Sequence, residues 1–360
     1  MDSRHLLPFE KPIGDLQAKL DDMRTASAES SDIDVSKEIG RMQKKIEETR
    51  RKIYMNLSAW QRVQVARHHQ RPHTLDYIEH MCDDFVELHG DRAYRDDKAV
   101  IGGFATLAGQ KIMLIGTQKG RDTKSNLERN FGCPHPEGYR KALRLMKLAN
   151  RFNLPIVTLI DTKGAYAGIE SEERHVAEAI AVNLRESFTF TVPMVAVITG
   201  EGGSGGALGI GIANRVLVME NAYFSVITPE GCAAILWKDR EFTEQAAEAL
   251  RLTATDLLEL GVTDGVVPEP FGGAHTDPGE TAENLKTSIL ECLNFLSKYS
   301  ADELIEDRYK KYRAMGRFEE ELADGHGPGK NGDTPDEDTK EGEDSDSSGN
   351  NGDGSTPKPE

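Results

Sequence analysis

Five glycines occupy the eight positions from Gly200 to Ala207, directly after an apolar run at residues 193–199. Because glycine has no Cβ, its backbone adopts positive φ angles without strain and approaches a ligand closely. Consecutive amide groups at such a turn, where a helix begins, form a positive pocket for an anion or a developing oxyanion. The segment therefore predicts an anion-binding turn between a strand and a helix.

Alternating strand and helix patterns surround this glycine turn. Strands are predicted at residues 99–107, 111–116, 155–160, 193–199, 216–219 and 223–227, and helices at 136–152, 172–186, 207–213 and from Pro229 onward. Repeated strand, turn and helix units of this length indicate an α/β or α+β fold that winds as a spiral.

Residues 1–75 carry helical patterns instead. Apolar residues recur at helical spacing from Ile13 to Met23, and a coiled-coil-like a/d pattern extends from Ile39 to Leu57. The two segments predict an antiparallel helical extension that packs on the main domain or on a partner subunit.

The rest of the chain divides into a main domain at 76–300, a charged helix at 301–320 and a tail at 321–360. The formal net charge of the chain is −17, and the tail holds twelve Asp or Glu residues against three Lys or Arg. With almost no apolar residues the tail cannot offset its ordering entropy, so it is predicted to be disordered. No basic domain indicates nucleic acid binding.

The cysteines and the hydropathy pattern exclude several classes of protein. The four cysteines stand apart, without a C-x-x-C pair, which argues against a zinc ribbon and a disulfide framework. We expect no metal on this chain, and a cytoplasmic location. No apolar run approaches the roughly 18 residues of a membrane span. The cysteines are Cys82, Cys133, Cys232 and Cys292.

Two common motifs fit the glycine turn incompletely. Gly200-x-Gly202-x-x-Gly205 matches the dinucleotide fingerprint, but Glu220 follows a predicted helix of about seven residues, shorter than the usual crossover. Gly202-x-Ser204-x-Gly206 matches a nucleophile elbow with His275 downstream. Ser204, however, is predicted about five residues beyond the strand, so the bland interpretation is a small turn residue.

A third hypothesis assigns the turn to an oxyanion hole. The donors would be the backbone amides of Gly205, Gly206 and Ala207 at the start of a helix, and such a site needs no particular side chain. The segment from Asp161 to Gly168, at the end of a second strand, is predicted to form the neighbouring wall. Tight packing alone remains the structural alternative for the glycines.

Longer blocks of sequence narrow these alternatives. They are Gly120–Asn126, Asn130–Gly132, Pro134–Met146, Gly200–Ala207, Thr228–Lys238 and Pro268–His275. Together they resemble the carboxyltransferase alpha subunits of bacterial multi-subunit acetyl-CoA carboxylases, over about residues 5–318. The resemblance implies a crotonase-like superhelix of ββα units with an N-terminal helical extension.

The resemblance also implies a reaction and its partners. A carboxyl group moves from carboxybiotin, attached to a separate biotin carboxyl carrier protein, to acetyl-CoA, giving malonyl-CoA for fatty acid biosynthesis. Activity requires a zinc-ribbon-containing beta subunit, in an alpha2beta2 assembly, and biotin carboxylase completes the ATP-dependent complex. The segment Thr228–Lys238 is expected at the subunit interface.

The expected roles of individual residues follow from the same resemblance. The amides of Gly205, Gly206 and Ala207 stabilise the ureido oxyanion of biotin, and the ureido nitrogen takes the acetyl proton. Apart from the resemblance, Arg121 and Lys124 are themselves candidates for contacting a phosphate or carboxylate, and a solvated loop is the alternative. The remaining predicted substrate-binding residues are Gly164, Ala165, Tyr166, Gly168, Gly202 and Gly203.

One block departs from the family pattern. Lys163 and Ala167 stand where the pattern has prolines, and Glu170 adds a charge. Because proline restricts φ, its absence predicts a more flexible loop. We expect an active enzyme, and the alternative is a catalytically silent subunit that serves assembly.

Overall fold

A mixed sheet of eight strands organises the part of the chain that the structure describes. The computed structural model describes residues 6–29 and 36–316. The strands are β1 (Asp84–Glu87), β2 (Val100–Leu107), β3 (Gln110–Thr117), β4 (Ile156–Thr162), β5 (Met194–Gly203), β6 (Arg215–Met219), β7 (Tyr223–Ser225) and β8 (Gly265–Val267).

Helices precede, connect and follow these strands. They are α1 (Lys11–Glu29), α2 (Ser36–Tyr54), α3 (Ala59–Ala66), α4 (Thr74–Met81), α5 (Thr123–Glu128), α6 (Pro136–Arg151), α7 (Ile169–Glu173), α8 (Val176–Ser187), α9 (Ser204–Gly211), α10 (Pro229–Leu236), α11 (Thr243–Ala249), α12 (Ala254–Glu259), α13 (Pro278–Leu296) and α14 (Ala301–Arg313).

The order of the strands places the ends of β4 and β5 side by side. The sheet runs β1-β2-β3-β4-β5-β6-β8, and β7 adds to the end of β5. The first three strands are antiparallel, and each pair from β3 to β8 is parallel. Since neighbouring parallel strands end at the same edge of a sheet, residues that follow β4 meet residues that follow β5.

The predicted central strands are confirmed, and their apolar runs explain why they form. Every residue of β4 and β5 is buried, as expected of parallel strands covered on both faces. The amphipathic helix α6 covers the sheet with Tyr139, Leu145 and Met146. These side chains belong to one core with the strands.

The helices predicted in residues 1–75 are also confirmed. The Tyr54 hydroxyl, at the end of α2, donates a 2.7 Å hydrogen bond to Glu10, which precedes α1, so the two helices are antiparallel. Ile13, Leu20 and Ile46 fill a small core between them. The Tyr54 ring lies 5.9 Å from that of Phe271, which attaches the helical pair to the main body.

The domain boundaries stay predictions. The described residues, 6–29 and 36–316, belong to one compact unit. The tail predicted at 321–360 lies outside the described residues, as do the last residues of the helix predicted at 301–320. Within the described ranges, no helix combines the length and apolarity that crossing a bilayer requires.

Several predicted boundaries were wrong, among them that of the strand predicted at 223–227, which ends at Ser225. The helix predicted at 172–186 is two helices, α7 and α8, because His175 adopts a φ of 62° between them. β5 continues to Gly203 rather than ending at 199, because its last residues pair with β4 and β7. The next helix consequently begins at Ser204, three residues earlier than predicted.

Candidate functional site

The glycine turn is a direct passage from β5 into α9. Gly203 is the last strand residue, and Ser204, with a φ of 50°, is the first residue of the helix. The prediction that Ser204 lies well beyond the strand was therefore wrong. A sharp turn from a strand into a helix requires one residue with a positive φ, and here that residue is Ser204.

The structure supports neither the nucleophile elbow nor the dinucleotide-binding fingerprint. Ser204 makes no hydrogen bond to a histidine within residues 6–29 and 36–316, and His275 stacks on His68 at 3.7 Å between ring centroids. The helix α9 has eight residues, shorter than the crossover of about 10 residues in a nucleotide-binding unit. The hypothesis that remains for the turn is an oxyanion hole formed by backbone amides.

Two of the three predicted amide donors are available at the start of α9. The first amides of an α-helix have no intrahelical acceptor, and here they include those of Gly205 and Gly206. By the same count, the amide of Ala207 is the first that can bond within the helix, to the carbonyl of Gly203. The role of Ala207 as a third donor stays a prediction.

The segment after β4 packs directly against the turn. A Cβ on Gly203 would clash with the carbonyl oxygen of Lys163, and a Cβ on Gly206 would lie 2.6 Å from Gly164 Cα and clash with the amide nitrogen of Ala165. Such contacts are possible only without side chains. The structure thus brings together the two strand ends that the sequence predicted as neighbours.

Tyr166 and Gly168 continue this wall toward the surface. The Tyr166 amide donates to the Pro134 carbonyl at 2.9 Å, and its ring meets the His135 ring edge-on at 4.7 Å. A Cβ on Gly168 would lie 2.5 Å from the Tyr166 ring. Gly202 lies within the β4–β5 ladder, opposite Thr162.

The two predicted cations lie at the start of α5. Arg121 lines a cavity of about 260 Å³ but is bound by the carbonyls of His69 and Arg71 and by Asp76. Lys124 lies in the exposed first turn of α5. In the described part of the chain neither side chain contacts the glycine turn.

Sequence reasoning missed a buried charge network that contacts the same cavity. Lys119 Nζ bonds Asp161 at 2.6 Å and Glu201 at 2.9 Å, and Arg67 Nε bonds Glu201 at 2.7 Å. Burial alone would raise the pKa of the Glu201 carboxyl, but the charges of Lys119 and Arg67 outweigh it and lower the pKa to about 2. The one available signal was a single glutamate among the glycines of the predicted turn, since a charge that becomes buried needs a partner.

An apolar surface lies on the opposite side of the turn, and we call it the apolar rim. It borders a second cavity, of about 360 Å³, which also contacts Ser204 and Gly205. Val226 is 76 % exposed there, and Leu208 and Leu260 are exposed beside it. Ile235 and Leu236 of α10 are exposed as well. Exposed apolar patches of this kind mark surfaces that bind a partner or ligand.

Backbone amides at a glycine-lined helix start, next to an uncovered apolar surface, are typical of enzymes that stabilise an oxyanion and complete their site with a partner. The chain belongs to the acetyl co-enzyme A carboxylase carboxyltransferase-like family, whose model matches residues 6–316. The resemblance found in the sequence blocks is confirmed.

Individual relatives agree with this assignment. The acetyl-coenzyme A carboxylase carboxyl transferase subunit alpha of Chlorobium phaeobacteroides is 54 % identical over 333 residues, covering 89 % of this chain and 100 % of the relative. The subunit of the same name from Geobacter metallireducens is 54 % identical over 320 residues, with 89 % and 100 % covered. Carboxyl transfer to acetyl-CoA, which forms malonyl-CoA, is the role of this biotin-dependent family, and an alpha subunit implies a beta partner.

The fold is shared with a solved carboxyltransferase. The transcarboxylase 12S structure aligns with a TM-score of 0.52 at 19 % identity, covering 63 % of this chain and 42 % of that one. At this identity the likeness concerns the fold alone, and it confirms the predicted crotonase-like architecture.

Proposed function

We propose that this chain is the alpha half of a carboxyltransferase that moves a carboxyl group from carboxybiotin to acetyl-CoA, forming malonyl-CoA for fatty acid biosynthesis. One observation carries the proposal: at the glycine turn, two amides without intrahelical acceptors lie at the positive end of α9. A helix start of this kind is where developing negative charge is stabilised.

Three partners complete the proposed reaction. They are a zinc-ribbon-containing beta subunit in an alpha2beta2 assembly, a biotin carboxyl carrier protein that bears the biotin, and a biotin carboxylase that loads it. The apolar rim supports the first of these, because exposed apolar surface beside an incomplete site is stabilised when a subunit covers it. The beta subunit is expected to hold most of acetyl-CoA, and the complex to work in the cytoplasm.

The backbone at the turn fits the ureido group of biotin. The close approach of Gly164 and Ala165 to Gly206 leaves room for backbone alone at this point of the turn. Carboxybiotin supplies the carboxyl group, and its ureido nitrogen supplies the base for the acetyl proton. The two amides donate hydrogen bonds to the ureido oxygen as charge builds there, an effect worth about 2.7–4 kcal/mol per donor.

The neighbouring residues hold this arrangement in place. Ala207 begins the intrahelical bonding that fixes the direction of the two free amides. Arg121 and Lys124 contribute positive potential on the far side of the wall, where an approaching phosphate or carboxylate is attracted. The wall itself consists of Gly164, Ala165, Tyr166 and Gly168, and Gly202 and Gly203 of the turn lie against the segment that carries it.

The test is malonyl-CoA decarboxylation with free biotin, measured for the chain alone, a beta subunit alone and the two together. We expect biotin-dependent turnover in the mixture and none in either subunit. A mixture that assembles, by size-exclusion chromatography with light scattering, yet has no turnover would contradict the proposal and favour a silent assembly subunit.

A further inference from the structure

Glu201 lies within the glycine turn and is the residue there with the most contacts. Its carboxylate accepts hydrogen bonds from Arg67 Nε at 2.7 Å, Lys119 Nζ at 2.9 Å and the Tyr223 hydroxyl at 2.7 Å. Arg67 follows α3, Lys119 follows β3, and Tyr223 begins β7. Three separate elements therefore hold one side chain, which is 1 % exposed.

The backbone of Glu201 is tied as firmly as its side chain. Its amide donates to Asp161 Oδ1 at 2.8 Å, and the same oxygen accepts Lys119 Nζ at 2.6 Å. Gly200, on one side, packs so closely that a Cβ would lie 2.5 Å from Asp161 Oδ1, and Gly202 follows on the other. Glu201 is thus held in place on both its backbone and its side chain, between the glycines Gly200 and Gly202.

A run of glycines does not by itself restrict the path of its backbone. Glycine loses more conformational freedom on folding than any other residue, so the path from Gly202 to Ser204 must be fixed by its surroundings. The reacting groups of an enzyme must be held within about 0.5 Å of the productive geometry, by neighbours whose own positions are locked. The contacts of Glu201 supply that restraint two residues before Gly203.

We propose that Glu201 is a positioning residue, whose anchored carboxylate sets the direction of the glycine turn and so aims the amides of Gly205 and Gly206. The inference rests on the proposed carboxyl transfer for its functional consequence. Lys119, Arg67 and Tyr223 act through Glu201, and none of the four needs to touch substrate.

The experiment substitutes Glu201→Gln in the chain and studies it in complex with a beta subunit. Glutamine keeps the shape but removes the charge and turns an NH2 group toward Arg67 or Lys119. Without the anchored carboxylate the amides of Gly205 and Gly206 are no longer held in one direction. We therefore expect kcat for biotin-dependent malonyl-CoA decarboxylation to fall roughly 10- to 100-fold. KM for malonyl-CoA stays within about twofold, because ground-state binding is untouched. Hydrogen exchange of the peptide covering 200–207 becomes faster.

Glu269→Gln is the matched control. Glu269 is an equally buried carboxylate, bound by Arg71, by Asn221 and by the amide of Ala274. Among the described residues it bonds neither Asp161 nor Lys119, and Arg71 links it to the carbonyl of Thr199, which precedes the turn. We expect this variant to lower Tm while the folded complex keeps kcat within about twofold. Tyr223→Phe removes one donor alone, and we expect an intermediate loss of kcat, so the proposal stays testable if Glu201→Gln does not fold.

The outcomes separate this inference from the proposed function. Unchanged kcat in Glu201→Gln, or equal losses of kcat in Glu201→Gln and Glu269→Gln, would overturn the positioning role. An inactive wild-type complex would instead overturn the proposed function. In that case the exchange of the 200–207 peptide still decides whether Glu201 fixes the turn.

Discussion

The two sides of the glycine turn differ in chemistry although they share the end of one strand. On one side, Glu201 lies in a buried network of charges that joins β4, β5 and the segment after β3. On the other side, Ser204 and Gly205 open onto the apolar rim, where Val226 is largely exposed. The charged side finds its partners within this chain, whereas we expect a partner subunit to cover the apolar side.

The largest effect is expected where the two sides meet, at Gly206. The Cβ of Gly206→Ala would clash with the backbone of Gly164 and Ala165, which cannot move without opening the wall. We expect kcat for malonyl-CoA decarboxylation to fall roughly 100- to 1,000-fold, the usual loss for one oxyanion donor. Gly211→Ala, in the same helix, is the control, since its Cβ would meet Ile160 at an ordinary 3.4 Å. Full activity in Gly206→Ala would mean that the turn is not the site.

The next effect tests the charged side through stability. Lys119→Met leaves the carboxylates of Asp161 and Glu201 buried with one cation fewer. Breaking a buried ion pair in this way costs about 3–5 kcal/mol, which urea unfolding of the chain measures. Lys124→Met, on the exposed surface of α5, should stay within about 0.5 kcal/mol of wild type. Equal stabilities for the two variants would show that the network fixes nothing.

The apolar side should respond in assembly rather than in stability. Val226→Glu places a charge where the beta subunit is expected to dock, so Kd for the subunit should weaken by at least about tenfold. Tm of the chain alone should not change, because the side chain is exposed. Phe152→Glu alters a residue that is 59 % exposed at the end of α6 and serves as the control. Equal Kd values for wild type and Val226→Glu would place the interface elsewhere.

A pH series examines a buried histidine outside the network of Glu201. Burial, reinforced by His68 and Arg71, lowers the pKa of His275 to about 3 from its usual value near 6.5. The unfolded chain therefore takes up this proton first, so stability is complete above pH 6.5 and declines as pH falls toward 3. In His275→Phe, which removes ring nitrogens that lack hydrogen-bond partners among the described residues, the decline of the unfolding free energy should be shallower. An identical slope would contradict this assignment.

The smallest effect concerns the wall between the two sides. The amides of Lys163 and Ala167 donate no hydrogen bond in the part of the chain that is described, so proline removes none at either position. The double substitution Lys163→Pro and Ala167→Pro should stabilise the chain by about 0.4–1 kcal/mol per site, slow proteolysis of the loop and lower KM for biotin. Unchanged proteolysis and unchanged KM together would show that the loop is not flexible.

The two sides of the turn also differ in how much of their structure the sequence could predict. The continuous apolar runs of β4 and β5 predicted both strands, and the glycines predicted the turn. The extension of β5 to Gly203 was missed because glycine has low strand propensity and the pairing of Gly202 with Thr162 joins distant residues. The spacing of apolar residues along the chain does not show that Gly202 pairs with Thr162.

The charged side was missed for a related reason. Arg67 lies 134 residues before Glu201 in the chain, and Lys119 lies 82 residues before it. No local pattern joins residues at these separations, and the fold alone brings them together. The positive φ of Ser204 was equally hidden, because serine is not a residue that signals this conformation.

The central claim is that the amides of Gly205 and Gly206 hold the ureido oxygen of biotin. The most direct measurement is a structure of the complex of this chain, a beta subunit and biotin. We expect the ureido oxygen about 2.7–3.1 Å from both amide nitrogens, with the apolar rim covered by the beta subunit. Biotin bound instead in the polar cavity beside Lys119 and Arg67, with both amides facing solvent, would contradict it.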